Sequence, residues 1–475
     1  MTTRQNKISK LTKIGYGAGN LGFGIVFQCL AAYLLFYSTA VLGIRGRHIG
    51  TIMAIGVFWD AVTDPLMGYI SDITHFKKWG RRHLYLLVGT ISIAVFNALL
   101  WNINPDFPIS IKLIFILIFF LLLKTALTVY GTPYTALGAE LSDDYDERTS
   151  IQSYKTLAFL LGLALPMVVG LLLFFKSTPE YPIGQLNPRG YSMMGVATSL
   201  LMVMTGLICF FSTYALRLNK SADSLIKRRR EGKRKLAFLE ALENKYFLYV
   251  FMGYLFINVS SALIGSIGLH VFTYTFDLNS NQIALVMGFF FLGSIVSLPY
   301  WLDRSKKYDK RPIMMTCIKI SAMASFVFLV AVFTRIVVIR LHFLLWPIVF
   351  VLGFGSGGLF MLPPSMIADT IDYEEQEKGF RSEGIYFGAL TFGYKIIQSL
   401  VLFVVGVLLD LIKFDSGLSS QTTYTSIMLG IILCIGSLVA FFAGYLFLKK
   451  YTLTKDIIEK IQKNLTERKT KEQTF

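Results

Sequence analysis

Apolar runs of about twenty residues or more recur along this chain, separated by short polar segments that carry the charge. In the first half they lie near Ile14–Val41, Ile49–Ile70, Leu84–Trp101, Leu113–Leu137, Leu157–Phe175 and Tyr191–Leu216. They resume near Phe247–Tyr274, Ile283–Leu302, Ile313–Phe333, Phe343–Met366, Ile385–Ile412 and Tyr424–Phe447. Each is long enough to cross a bilayer as a helix. The pattern predicts an all-α membrane protein of twelve transmembrane helices, six in residues 1–216 and six in 247–448. A basic cytoplasmic linker, 217–246, separates them, and a basic tail, 449–475, is expected to form a short solvated helix.

The polar segments repeat. Asp72 after the second run leads into Lys77, Lys78, Arg81 and Arg82; Asp303 after the eighth leads into Lys306, Lys307, Lys310 and Arg311. Gly138-Ala-Glu140 after the fourth run is echoed by Ile367-Ala-Asp369 after the tenth. The echoes fall six spans apart in the same chain direction, which is the plan of the major facilitator fold with its two parallel six-helix halves.

Composition agrees. A chain 54% hydrophobic and 16% charged departs from soluble domains, which run about 45–50% apolar and about 25% charged. The net charge of +17 raises nucleic acid as a partner. The basic residues sit in short blocks between apolar runs, however, so they read as a topology signal that places both termini in the cytoplasm, and no nucleic-acid partner is expected. Cys29, Cys209, Cys317 and Cys434 fall within apolar runs without paired spacing, indicating neither disulfides nor zinc. The basic start, Met1–Lys13, precedes a spanning run and has no cleavable leader. Nothing has the form of a catalytic triad or metal motif, so no enzyme activity and no cofactor are expected.

Two carboxylates stand within the second run. Asp60 and Asp64 are four apart and so share a helix face. An ionised Asp at bilayer depth costs about 2.5–3.5 kcal/mol, and two on one face repel. Something cationic must compensate: a bound cation, a proton, or a lysine of another helix. Lys395, deep in the eleventh run, is the expected competitor for the pair; Lys124, in the fourth run, is less easily placed. Asp72 with Arg81 and Arg82 reads as a latch at the cytoplasmic helix ends, joined by Glu140 with Arg148 and by Asp369 and Asp372 with Arg381 and Glu383. Tyr130 and Tyr134 flank a kink at Pro133 and serve either packing or a ligand.

Trp59-Asp60-x-x-x-Asp64-Pro65-x-x-Gly68 resembles the glycoside–pentoside–hexuronide:cation symporters, the family of the melibiose permeases. Pro133 through Glu140, Asp146 through Thr149, and Asp369 through Gly384 extend the likeness into both halves. The resemblance implies that Asp60 and Asp64 hold Na+ or H+, with Thr63 near enough to add a hydroxyl, and that Lys395 links ion and substrate sites. It places Gly24 and Gly131 where melibiose permeases carry sugar-binding carboxylates, Tyr134 at a tryptophan position and Lys155 at an arginine position. The sequence is also similar to sodium-dependent lysophosphatidylcholine symporters, which lack the sugar carboxylates. The expectation is a secondary symporter that takes up a glycoside, pentoside or hexuronide by alternating access. The solute site would draw on Tyr130, Tyr134, Lys155, Lys395, Gly24 and Gly131. The alternatives are a lysophospholipid or anionic-solute symporter and a non-transporting membrane sensor. A bacterial inner membrane, lipid surroundings and a functional monomer complete the reading.

Overall fold

The structure, a computed structural model, describes residues 8–74, 79–80, 82–142, 145–215, 241–379, 383–415 and 418–473. Among these, twelve helices are long and apolar enough to cross a membrane. They are α1 (Lys10–Phe36), α2 (Gly46–Ile73), α3 (His83–Trp101), α4 (Ile109–Glu140), α5 (Tyr145–Leu165), α6 (Pro188–Tyr214), α7 (Lys245–His270), α8 (Ser280–Lys307), α9 (Lys310–Phe333), α10 (Leu345–Lys378), α11 (Glu383–Leu411) and α12 (Thr423–Leu448). A further helix, α13 (Lys455–Gln473), follows. Most of the expected linker, up to residue 240, lies outside the described residues.

The chain forms two compact units. One comprises Met1–Glu231, Asn279–Ala284 and Leu402–Ser420; the other comprises Gly232–Leu278, Leu285–Val401 and Gln421–Phe475. In the first, α1 packs on α5 and α6, and α3 on α4 and α6; in the second, α7 packs on α12, and α9 on α10 and α12. The burial pattern is that of helices in lipid. On α6, Leu200, Met204, Ile208 and Phe211 are exposed, while Thr198, Met202, Thr205 and Cys209 are buried. Lipid solvates apolar side chains as well as a protein interior does, so small and polar residues take the helix contacts.

The repeat seen in sequence recurs in backbone form. α1 ends in a wide π turn at Tyr37–Val41, and α7 ends in one at Val271–Thr275. Ile44 N donates to Ser38 O in the first and Leu278 N to Phe272 O in the second. A third π turn, Pro166–Gly170, carries α5 onward, with Tyr33 Oη donating to Pro166 O at 2.7 Å.

The tail departs from expectation. On α13, Ile458, Ile461 and Leu465 recur at three- and four-residue spacing on one face. All three are buried in a cluster with Ile367 and Ile371 of α10. Gln462 Nε2 donates to Asp372 Oδ2 at 2.9 Å, and Lys455 N to Asp309 Oδ1 at 2.7 Å. The tail is a docked helix, not a solvated one.

Candidate functional site

α2 and α4 meet in register, one contact per turn. A Cβ at Gly56 would stand 2.2 Å from Phe120 Cε1. One turn on, Lys124 Nζ donates to Asp60 Oδ2 at 2.6 Å. Another turn on, Thr128 Oγ1 donates to Asp64 Oδ1 at 2.8 Å. A Cβ at Gly68 would then lie 3.7 Å from Thr132 Cγ2. Four residues per rung on both helices is the spacing that keeps neighbours on one helical face, and because both numberings rise together the helices run parallel.

The two central rungs carry the chemistry. Asp60 is 8% exposed and Lys124 7%, so this is a buried ion pair; the Lys124 ammonium also lies 5.8 Å from the centroid of the Phe120 ring. Asp60 Oδ1 is shut from solvent without a hydrogen-bond partner. Asp64 and Thr63 are half-buried and Thr128 is buried. Thr63 Oγ1 donates to Trp59 O at 3.0 Å and lies 3.4 Å from Thr128 Oγ1, while Trp59 Nε1 donates to Thr125 Oγ1 at 2.9 Å. Two carboxylates and two threonine hydroxyls thus lie on successive turns, with an ammonium held by the first carboxylate.

Asp60, Asp64 and Thr63 lie together on α2, and the ammonium beside them is not that of Lys395, the expected competitor. Asp60's partner is Lys124, from the same unit. Lys395 is half-buried on α11, in the other unit. The signal was present: Lys124 and Thr128 repeat on α4 the four-residue spacing of Asp60 and Asp64 on α2.

The expected solute residues divide. Tyr130 and Tyr134 are both buried, at 0% and 1% exposure. Tyr134 stacks on Tyr16 at 4.5 Å and on Tyr130 at 5.4 Å. Tyr134 Oη donates to Tyr16 O, and Tyr16 Oη to Tyr134 O, a reciprocal clasp between α1 and α4. The packing alternative is therefore the one the geometry realises for these rings. Lys155, half-buried, donates to Thr135 Oγ1 at 3.2 Å, with its ammonium 5.5 Å from the Tyr134 ring centroid. Gly24 is a helix contact: a Cβ there would stand 3.0 Å from Phe159 O and 3.3 Å from Gly162 Cα. A Cβ at Gly131 would lie 3.1 Å from the Phe23 ring.

At the far ends of α2 and α4, Arg82 is buried and gathers three acceptors. Its Nη2 reaches Asp72 Oδ1 at 2.6 Å and Glu140 Oε1 at 3.0 Å, and its Nη1 donates to Ser71 Oγ. The second unit repeats the theme at the echoed positions, with Lys310 Nζ 2.7 Å from both oxygens of Asp369. Asp372 is buried against α13, and Glu383 is exposed. Arg81 and Arg381, and the side chain of Arg148, lie outside the described residues. The echo stops at the ion rungs. Counting back from Asp369 as from Glu140, Lys124 corresponds to Gly353 and Thr128 to Gly357. A Cβ at Gly353 would meet Phe290 O, and one at Gly357 would meet Ser297 Oγ. Charge and hydroxyl in one unit are replaced by close glycine packing in the other.

The family described as MFS/sugar transport protein matches residues 15–455. The inner membrane symporter YicJ of Escherichia coli is 24% identical over 97% of this chain and 96% of its own. Sodium-dependent lysophosphatidylcholine symporter 1 of Xenopus tropicalis is 22% identical over 95% and 89%. Among solved structures, a D-xylose-proton symporter superposes with a TM-score of 0.64 at 15% identity, covering 93% of this chain and 98% of that one. That likeness establishes the major facilitator fold.

Proposed function

Since the chain belongs to the MFS/sugar transport protein family and is an integral membrane cation symporter, we propose that it couples cation entry through the Asp60–Asp64 face to uptake of a glycoside, pentoside or hexuronide. The carrying observation is the pair of central rungs between α2 and α4, where two carboxylates stand within a membrane-spanning helix. Carboxylates at that depth are costly and mark ion pathways. Moving one charge through about 100 mV supplies about 2.3 kcal/mol, enough to concentrate a solute about fiftyfold.

In this reading Asp60 and Asp64, with Thr63 and Thr128, form the cation face. Thr135, two turns beyond Thr128 on α4, and Lys155 of α5, which donates to it, offer polar groups for solute hydroxyls. Arg82 with Asp72 and Glu140, and Lys310 with Asp369, tie the cytoplasmic ends of their helices and are released and remade during alternating access in the bacterial inner membrane. Gly24 and Gly131 carry no acid to clasp a sugar as melibiose permeases do, which favours a lysophospholipid as the second reading.

Counterflow in proteoliposomes tests the reading. Preloading with pentoses, hexuronates or β-glycosides is expected to drive transient accumulation of the labelled sugar. Counterflow of lysophosphatidylcholine alone would transfer the assignment to the second reading. Saturable binding without counterflow of any of these solutes would point to a sensor.

A further inference from the structure

Asp60's two oxygens are unequal. Oδ2 takes the Lys124 ammonium at 2.6 Å, and Oδ1, shut from solvent, has no hydrogen-bond partner. A metal ion shared by Asp60 and Asp64 would have to coordinate the carboxylate that already holds that ammonium. Two positive charges on one carboxylate repel strongly in a protein interior, where the effective dielectric is far below that of water. The ammonium has little freedom to leave. Lys124 is buried, rises from the middle of α4 and is flanked by Phe120, whose ring is lodged against Gly56. With Lys124 in place the ion rungs carry one net negative charge, not two. A hard cation also needs a shell of oxygens, and here one of the four carboxylate oxygens is already committed to nitrogen.

We propose that the Lys124 ammonium is a tethered cation that holds the position a sodium ion would take at Asp60, so that the Asp60–Asp64 pair of this chain is not a sodium site and Lys124 is the residue that decides it. The sodium expected from resemblance therefore does not fit the residues present. The inference rests on reading the pair as the coupling face, but its test needs no solute. A silent uptake assay and a sodium-responsive wild type are separate results.

The test is thermal unfolding of the purified full chain in detergent, at fixed pH and ionic strength, with NaCl replacing choline chloride. The wild-type midpoint is expected not to respond. Lys124→Gln removes the ammonium and leaves Asp60 buried and uncompensated. Its midpoint is expected to fall in choline and to recover by several degrees, saturably, as Na+ takes the vacated place. Lys124→Arg keeps a charge there and is expected to stay unresponsive, as is the neutral double variant Asp60→Asn/Lys124→Gln. Saturable stabilisation of the wild type by Na+ over choline overturns the proposal, and so does a folded Lys124→Gln that gains no response. If Lys124→Gln folds in neither salt, binding of labelled Na+ to the wild type decides: saturable binding overturns the proposal and its absence supports it.

Discussion

Lys124 on α4 donates to Asp60 on α2 across 2.6 Å, and each is more than nine-tenths buried. The two charges are tolerable at this depth only together. Removing one partner of a buried pair strands the other charge, at a cost of about 3–5 kcal/mol. Asp60→Asn alone is expected to destabilise by that order, and Asp60→Asn with Lys124→Gln to recover most of it. A double-mutant cycle by thermal unfolding reads the coupling; additive single effects would show that the pair does not act as one.

The rung above the pair sets its register. Phe120 is buried against Gly56, and even a methyl group at Gly56 would stand inside the ring's contact distance. Gly56→Val is expected to cost about 1–3 kcal/mol through overpacking. It should also loosen the Asp60–Lys124 pair below it, so that an added Asp60→Asn costs less than it does in the wild type.

Restoring the acid that melibiose permeases carry on the first helix is expected to fail. Gly24 lets α1 approach Gly162 of α5 at backbone distance, and a carboxylate there would be wedged against Phe159 O. Gly24→Asp is predicted to lower the unfolding midpoint without increasing counterflow of any glycoside. A stable, more active variant would contradict this packing.

The docked tail makes a clear energetic distinction. Ile461 is 5% exposed within the cluster of the second unit. Ile461→Ala is expected to cost about 2–5 kcal/mol, as for a core residue. Thermal unfolding separates this from a solvated tail, where surface substitutions stay within about 0.5 kcal/mol.

The twelve spans and the echo between halves were legible because lipid imposes long apolar runs, and the positions of Asp60 and Asp64 were legible because charge at that depth is rare. Pairing was harder to read. Lys395 and Lys124 are both lysines within spans, and hydropathy says nothing about which helix faces which. The deciding feature was the matched four-residue spacing of Asp60 and Asp64 with Lys124 and Thr128, which has meaning only once α2 and α4 are known to run side by side. Tyr130 and Tyr134 carried the same ambiguity, since a stacking ring and a ligand-holding ring look alike in sequence. The docking of α13 was hidden by composition: three buried aliphatics on one face are outweighed by the lysines around them.

The most direct measurement is gradient-driven uptake by Asp64→Asn, using a sugar that gives counterflow in the wild type. Asparagine keeps an acceptor for the Thr128 hydroxyl and leaves the Asp60–Lys124 pair intact, so the variant is expected to fold and reach the membrane in normal amount. The account predicts that accumulation against the gradient is lost while the protein is retained. Accumulation equal to the wild type, at equal protein in the membrane, would contradict the assignment of the α2 carboxylates as the coupling site.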